Sequence, residues 1–216
     1  MQGLKSSLLL VAALAPAALS GAQDSVVAGR IFFSKSFPGS SPAYSEIELD
    51  HSGKAVYRES PDDNQPIRFE IPPPDTRAIF ALAEQLQFFR LPLESKLKVA
   101  NMGMKTLRYE IGGVVGECKF NYSENLNARS LVDWFEKISE TEQHLIALER
   151  TARFDRLGVN KALLLLENSW EKNRIVAPEQ LLPILDKIAR QRSYMHIAQA
   201  RAASLAERIR AGKSPP

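Results

Sequence analysis

The apolar residues of this chain change their period once, and that change limits the folds open to it. In the first half they recur at every second position: Ala43, Ser45, Ile47 and Leu49 alternate with Tyr44, Glu46, Glu48 and Asp50. A period of two lines up one set of side chains on one face of a strand. From about Asn125 the period becomes helical, and Leu131, Trp134, Phe135, Ile138, Leu145 and Leu148 form one stripe. Strands first and helices afterwards, rather than strands alternating with helices, specify an α+β fold. The expectation is an antiparallel sheet of about five to six strands packed against one or two helices, followed by an α-helical C-terminal extension.

Strands are predicted over residues 26–34, 43–50, 54–58, 67–71, 105–111 and 114–122. His51, Ser52 and Gly53 make a turn, and Gly112 and Gly113 supply the positive φ angles of a tight hairpin. Pro72, Pro73 and Pro74 stop the sheet segment, because proline donates no ladder hydrogen bond. Asp75 is then placed to cap a helix with the stripe Ile79, Leu82, Ala83, Leu86 and Phe89. The first half of the long stripe after Asn125 should pack on the sheet and its second half should leave it. Gly158 bends or breaks that run. The helix over 162–170 carries four consecutive leucines, Leu163 to Leu166, and a run apolar on several faces should be buried between neighbours. Pro178 and Glu179 suit the first turn of a helix ending near Gln191. Ser193 is placed to cap the last helix, with the stripe Ala198, Ala202, Leu205 and Ile209.

The N-terminus reads as an address. Lys5 precedes an uncharged run from Leu8 to Leu19, and small residues follow at Ser20, Gly21 and Ala22. That is the pattern of a secretory signal peptide, with the cut after Ala22. A spanning helix needs roughly 20 apolar residues, and this run is shorter and contains Pro16. The parts are therefore a signal peptide (1–22), a sheet domain (23–140), a helical C-terminal region (141–211) and a disordered tail (212–216). The expected location is periplasmic or secreted, with no transmembrane span after cleavage.

Charge is divided between the two halves. Fifteen basic and nineteen acidic side chains give residues 23–151 a charge of −4, while twelve against six give residues 152–216 a charge of +6. A basic tail suits an acidic protein or an anionic envelope component, and Arg190, Arg192, Arg201, Arg208 and Arg210 are its densest candidates. The competing reading is that these arginines solvate the outer faces of helices. Nucleic acid is a poor fit, since no aromatic-basic interleaving accompanies the charge. The single cysteine, Cys118, rules out an internal disulfide. It falls in phase with Val114, Phe120 and Tyr122, which makes it a buried, unreactive thiol.

No catalytic, cofactor or metal site is assigned. His51 sits in a turn beside Asp50 and should be exposed, and His196 has no acidic residue three or four positions away. His144 follows Glu140 by four residues, so both share a helical face, but zinc normally takes three or four protein ligands. No G-x-S-x-G elbow occurs. Gly212, Lys213 and Ser214 imitate the end of a phosphate loop without its earlier glycine or its strand. Gly112, Gly113 and Gly116 lie in a hairpin rather than between a strand and a helix. Asn121, Tyr122 and Ser123 match a glycosylation sequon.

Gly39, Ser40, Ser41, Pro42, Ala43 and Tyr44, followed by an alternating strand and the Gly53 turn, resemble a family of small exported bacterial domains of unknown function. The first hairpin of that family carries a G-x-C-P-x-Y signature with another cysteine shortly before it, and Phe88 and Phe89 fit its later helix-ending pair. The resemblance covers roughly residues 28–140 and implies a small α+β domain. Ser41 stands at the family's cysteine position and no cysteine precedes it, so the thiol or disulfide role that the family implies is absent here.

The function expected from these readings is an exported, non-catalytic binding module of unknown ligand, its tail contacting a protein or an anionic envelope component. An extracytoplasmic hydrolase, and a structural protein that associates with itself through the tail, are the alternatives.

Overall fold

The computed structural model describes residues 29–212. The proposed signal peptide, the start of the strand expected over 26–34, and Lys213 to Pro216 lie outside the described residues. The elements run β1 (Arg30–Ser36), β2 (Tyr44–Asp50), β3 (Lys54–Arg58), β4 (Ile67–Glu70), α1 (Pro73–Gln85), β5 (Met104–Ile111), β6 (Val114–Phe120), α2 (Leu126–Phe154), α3 (Val159–Glu171), α4 (Leu182–Arg190) and α5 (His196–Arg210). The fold class is α+β. Six strands form one sheet in the order β4-β3-β2-β1-β5-β6, with every neighbouring pair antiparallel.

The period of two does its work here. Ile31, Phe33, Ile47, Leu49, Ala55, Tyr57, Leu107 and Tyr109 point to one face and are buried under α1 and α2. On the opposite face, charged residues that stand directly across from one another have opposite signs: Arg30 against Asp50 and Glu110, Glu46 against Arg58, Lys54 against Glu70, and Arg108 against Glu117. Such pairs stabilise a solvated sheet face and leave it without net charge.

The long helix α2 serves two cores. Leu131, Phe135 and Ile138 enter the sheet core, whereas Leu148 and Ala152 belong to a second core built from α3, α4 and α5. The first half of the stripe thus packs on the sheet and the second half leaves it, as the period indicated. The segment after α3 returns to the first core: Val176 and Ala177 are buried in it. Asn173 and Ala177 take left-handed backbone conformations there (φ 54° and 49°) to turn the chain back onto α2.

Several local expectations are corrected. α1 begins at Pro73 with Pro72 at its cap and no side-chain cap bond, so Asp75 lies inside the first turn instead of capping it. α5 begins at His196 with Met195 at the cap, so Ser193 caps nothing. Of the leucine run, Leu163 and Leu166 are buried, but Leu164 and Leu165 are 45% and 52% exposed. Helices α2 and α5 cover one side of α3, and nothing among the described residues covers the other. Val114 is also exposed, because β6 is a terminal strand and its hairpin end projects beyond the core. Gly158 ends the break between α2 and α3, where a Cβ would collide with the Asp155 carboxylate.

No described helix is long and apolar enough to cross a membrane.

Candidate functional site

The loop between β1 and β2, which contains Ser41 and Pro42, faces α2 across a recess. This recess, of about 840 Å³, is walled by Ser41, Pro42 and Glu59 on the sheet side. Glu140, His144, Ile146 and Phe154 of α2 and Leu165 and Ser169 of α3 form the other wall. A second hollow of about 300 Å³ continues it toward Lys35 and Glu136, sharing Ser41, Pro42, Glu140 and Gln143. Phe154 is 77% exposed at the rim. Concave sites that combine apolar walls with a few fixed polar groups are where proteins commonly hold ligands.

The floor of the recess is a directed hydrogen-bond chain. Ser169 Oγ donates to Glu140 Oε1 at 2.6 Å. His144 Nε2 lies 2.9 Å from the same hydroxyl. A serine hydroxyl has one proton, already given to Glu140, so Nε2 must carry a hydrogen and donate it. Arg174 closes the chain, its Nε donating to Glu140 Oε2 at 2.8 Å and its NH1 to Asp133 Oδ1 at 2.6 Å. Lys137 sits 2.9 Å from Asp133. Burial holds the His144 ring below the usual histidine pKa, partly offset by Glu140. The Lys137 and Arg174 bonds hold the Asp133 carboxyl below its ordinary range against the opposing effect of burial.

This order of contacts differs from a hydrolase triad, in which histidine accepts the serine proton and a carboxylate orients the far side of the ring. Here the carboxylate takes the proton directly, and Arg174 neutralises that carboxylate. Ser169 also lies in the last turn of α3, away from the N–H groups of a helix start. The pairing of Glu140 with His144 read from the sequence is therefore real as a shared face, but Ser169 joins them where a metal was considered. Among the described residues no group of three His, Cys, Asp or Glu side chains is placed to hold a metal ion.

The same chain of contacts fastens α3 and the segment after it to α2. Thr141 Oγ1 accepts from the Val176 backbone N–H at 3.0 Å, beside Arg174. Arg174→Ala should remove the cation that both carboxylates share, leaving Ser169 on Glu140 and Lys137 on Asp133. Charged hydrogen bonds of this kind are worth about 1.5–3 kcal/mol each. Amides of residues 172–181 are expected to exchange faster in that variant than those of β1 or β5, as hydrogen exchange read by mass spectrometry would show.

The remaining residues singled out from the sequence have other roles. His51 is exposed at its turn, as expected, yet its ring stacks on Phe80 at 3.6 Å between centroids. Partial burial keeps its pKa below the usual histidine value, opposed by Asp50. His196 is the exposed first residue of α5. Cys118 is buried, and burial pushes its thiol up to about 11, which leaves it unreactive at neutral pH. The Asn121 amide accepts from Met102 N and donates to Ala100 O, so this sequon side chain is occupied in pinning a loop.

The arginines chosen from charge density are largely committed within the helical region. Arg201 and Arg208 both pair with Glu167, while Arg210 and Arg190 pair with Asp186. Arg192 alone of the five makes no ion pair among the described residues. The C-terminal helix is basic, and its ion pairs knit it to α3 and α4. No protein-family model matches this chain, and no curated protein matches it.

Proposed function

We propose that the chain is an exported, non-catalytic binding module and that the recess between the β1–β2 loop and α2–α3 receives a segment of another protein. The observation that carries this reading is the pairing of an open apolar rim, with Phe154 and Leu165 uncovered, with a polar floor in which the Ser169 hydroxyl and both Glu140 oxygens are already bonded. A reactive site keeps a donor or acceptor free for substrate chemistry; this floor keeps its groups in shape. The recess carries both Glu59 and Arg150, so the exposed rim, rather than its charge, favours a segment with an apolar side chain.

The internal pairing of the tail arginines moves the reading from an anionic envelope surface toward this recess. A hydrolase reading has the Ser169–His144 contact in its favour and the Ser169–Glu140 bond against it.

The test is capture from an envelope extract, using the mature chain recovered with Gln23 as its first residue. The wild type and Arg192→Glu should retain the same partner, and Leu165→Asp or Phe154→Asp should lose it. A partner retained equally by all four proteins would remove the recess from consideration. Hydrolytic activity abolished by Ser169→Ala would replace the binding reading with the catalytic one. Native protein still beginning at Met1 would refute export.

A further inference from the structure

Among the described residues β6 is a terminal strand, seven residues long, that pairs with β5 on one side alone. A strand edge of that kind presents unpaired N–H and C=O groups and is a template for a further strand. The other terminal strand, β4, has four residues and runs into Pro72 and Pro73, which blunts it. β6 carries no proline between Val114 and Phe120, and the segment after α1 meets it at Gly116 and beyond its end at Asn121 and Tyr122.

Exposed apolar side chains collect at both ends of this edge. Ile111, Val114 and Val115 stand at the hairpin tip. Leu91, Leu97 and Met102 stand in the segment that is bonded to the strand's far end, through Ser95 N to Tyr122 O and Asn121 Nδ2 to Ala100 O. An antiparallel copy of the same strand would lay its tip against that segment, and the two-fold axis would repeat the contact.

The middle of the strand selects the register. Glu117 and Lys119 are exposed on one face, with Cys118 between them. Residues directly opposite in an antiparallel pair share a face, so a symmetric pair must centre on a residue. Centring on Glu117 or on Lys119 sets like charges directly opposite, which is destabilising. Centring on Gly116 sets the charges against Val115 and Gly113. Centring on Cys118 sets each Glu117 against Lys119 of the second copy, twice.

We propose that two copies of this chain pair edge to edge through β6, antiparallel and centred on Cys118, so that the six-stranded sheet continues across a two-fold axis. The ladder spans residues 116–120, since Glu94 already takes the Asn121 N–H.

Charge exchange tests the register without touching the core. Lys119→Glu, opposite Thr106 in its own chain, is the cleaner single variant, because Glu117→Lys also faces Arg108. In Glu117→Lys, and separately in Lys119→Glu, every cross-axis pair becomes a like pair. Each single variant should weaken dimerisation at least about ten-fold in sedimentation equilibrium, with circular dichroism unchanged. The double exchange E117K/K119E restores opposite pairs and should restore the dimer. An equimolar mixture of the two single variants should do the same, as a heterodimer. A wild type that stays monomeric at the highest concentration reached overturns the proposal. So does a single variant that dimerises as well as wild type, or a folded double exchange that stays monomeric.

Discussion

Glu142→Gln is expected to stabilise the protein, and by an amount that grows as the pH rises from about 5 to 8. Glu142 lies in α2 at the junction of the two cores, fully buried, and neither carboxyl oxygen has a hydrogen-bond partner among the described residues. Gln180, in the turn that precedes α4, contributes the one polar side chain that eases the charge, and its own amide atoms also lack partners. Burial pushes this carboxyl from an ordinary value of 4.5 up to about 8.

The direction follows from which form folding prefers. The folded state favours the protonated acid, so the group weakens stability least below about pH 4.5, where both states are protonated. The loss grows as pH climbs between the two values and is complete above about pH 8. Each tenfold difference in proton affinity is worth about 1.4 kcal/mol, so the full loss is on the order of a few kcal/mol. A glutamine cannot ionise, and its amide can pair with the Gln180 amide. Urea unfolding of both proteins from pH 5 to 9 checks this. His51 and His144, both held below the usual histidine pKa, act in the opposite direction but equally in both proteins, so subtracting the curves removes them. A difference that does not change with pH would show that Glu142 is not the titrating group.

Phe135→Ala should cost about 3–5 kcal/mol, in the range for deleting a buried aromatic ring. Phe135 is fully buried and stacks flat on Phe33, with centroids 4.9 Å apart and planes 5° from parallel. This contact presses α2 onto the middle of the sheet. Because α2 continues without a break into the second core, and Val176 and Ala177 return to the first, the two cores should unfold together. The expected result in calorimetry is one transition, lowered by roughly 10 °C for a chain of this size. Phe154→Ala, on the same helix but at the exposed rim, should change stability by no more than about 0.5 kcal/mol. Two transitions, of which only the first moves, would show that the helical region stands alone.

Much of the molecule was legible in its amino-acid order. Alternation located the strands and their buried faces, because a strand's side chains answer to the nearest neighbours in sequence. The stripe from Leu131 to Leu148 showed that one helix would leave the sheet midway. Reading failed where exposure depends on which elements meet. Leu164 and Leu165 look like core residues in the run, yet no element among the described residues covers their side of α3. The five arginines chosen from charge density look free in the sequence, yet Glu167 of α3 and Asp186 of α4 claim four of them.

The candidate site divides the same way. Four-residue spacing set Glu140 and His144 on one face, since helical geometry is local. Ser169 and Arg174 lie 29 and 34 positions from Glu140, and no periodicity announces partners at such distances. What the residue order determined by itself was the change from sheet to helix and the faces each element would bury. The folding back of α3 and of the segment after it decided the rest, because a polar cluster assembled from separate elements exists only once packing brings them together.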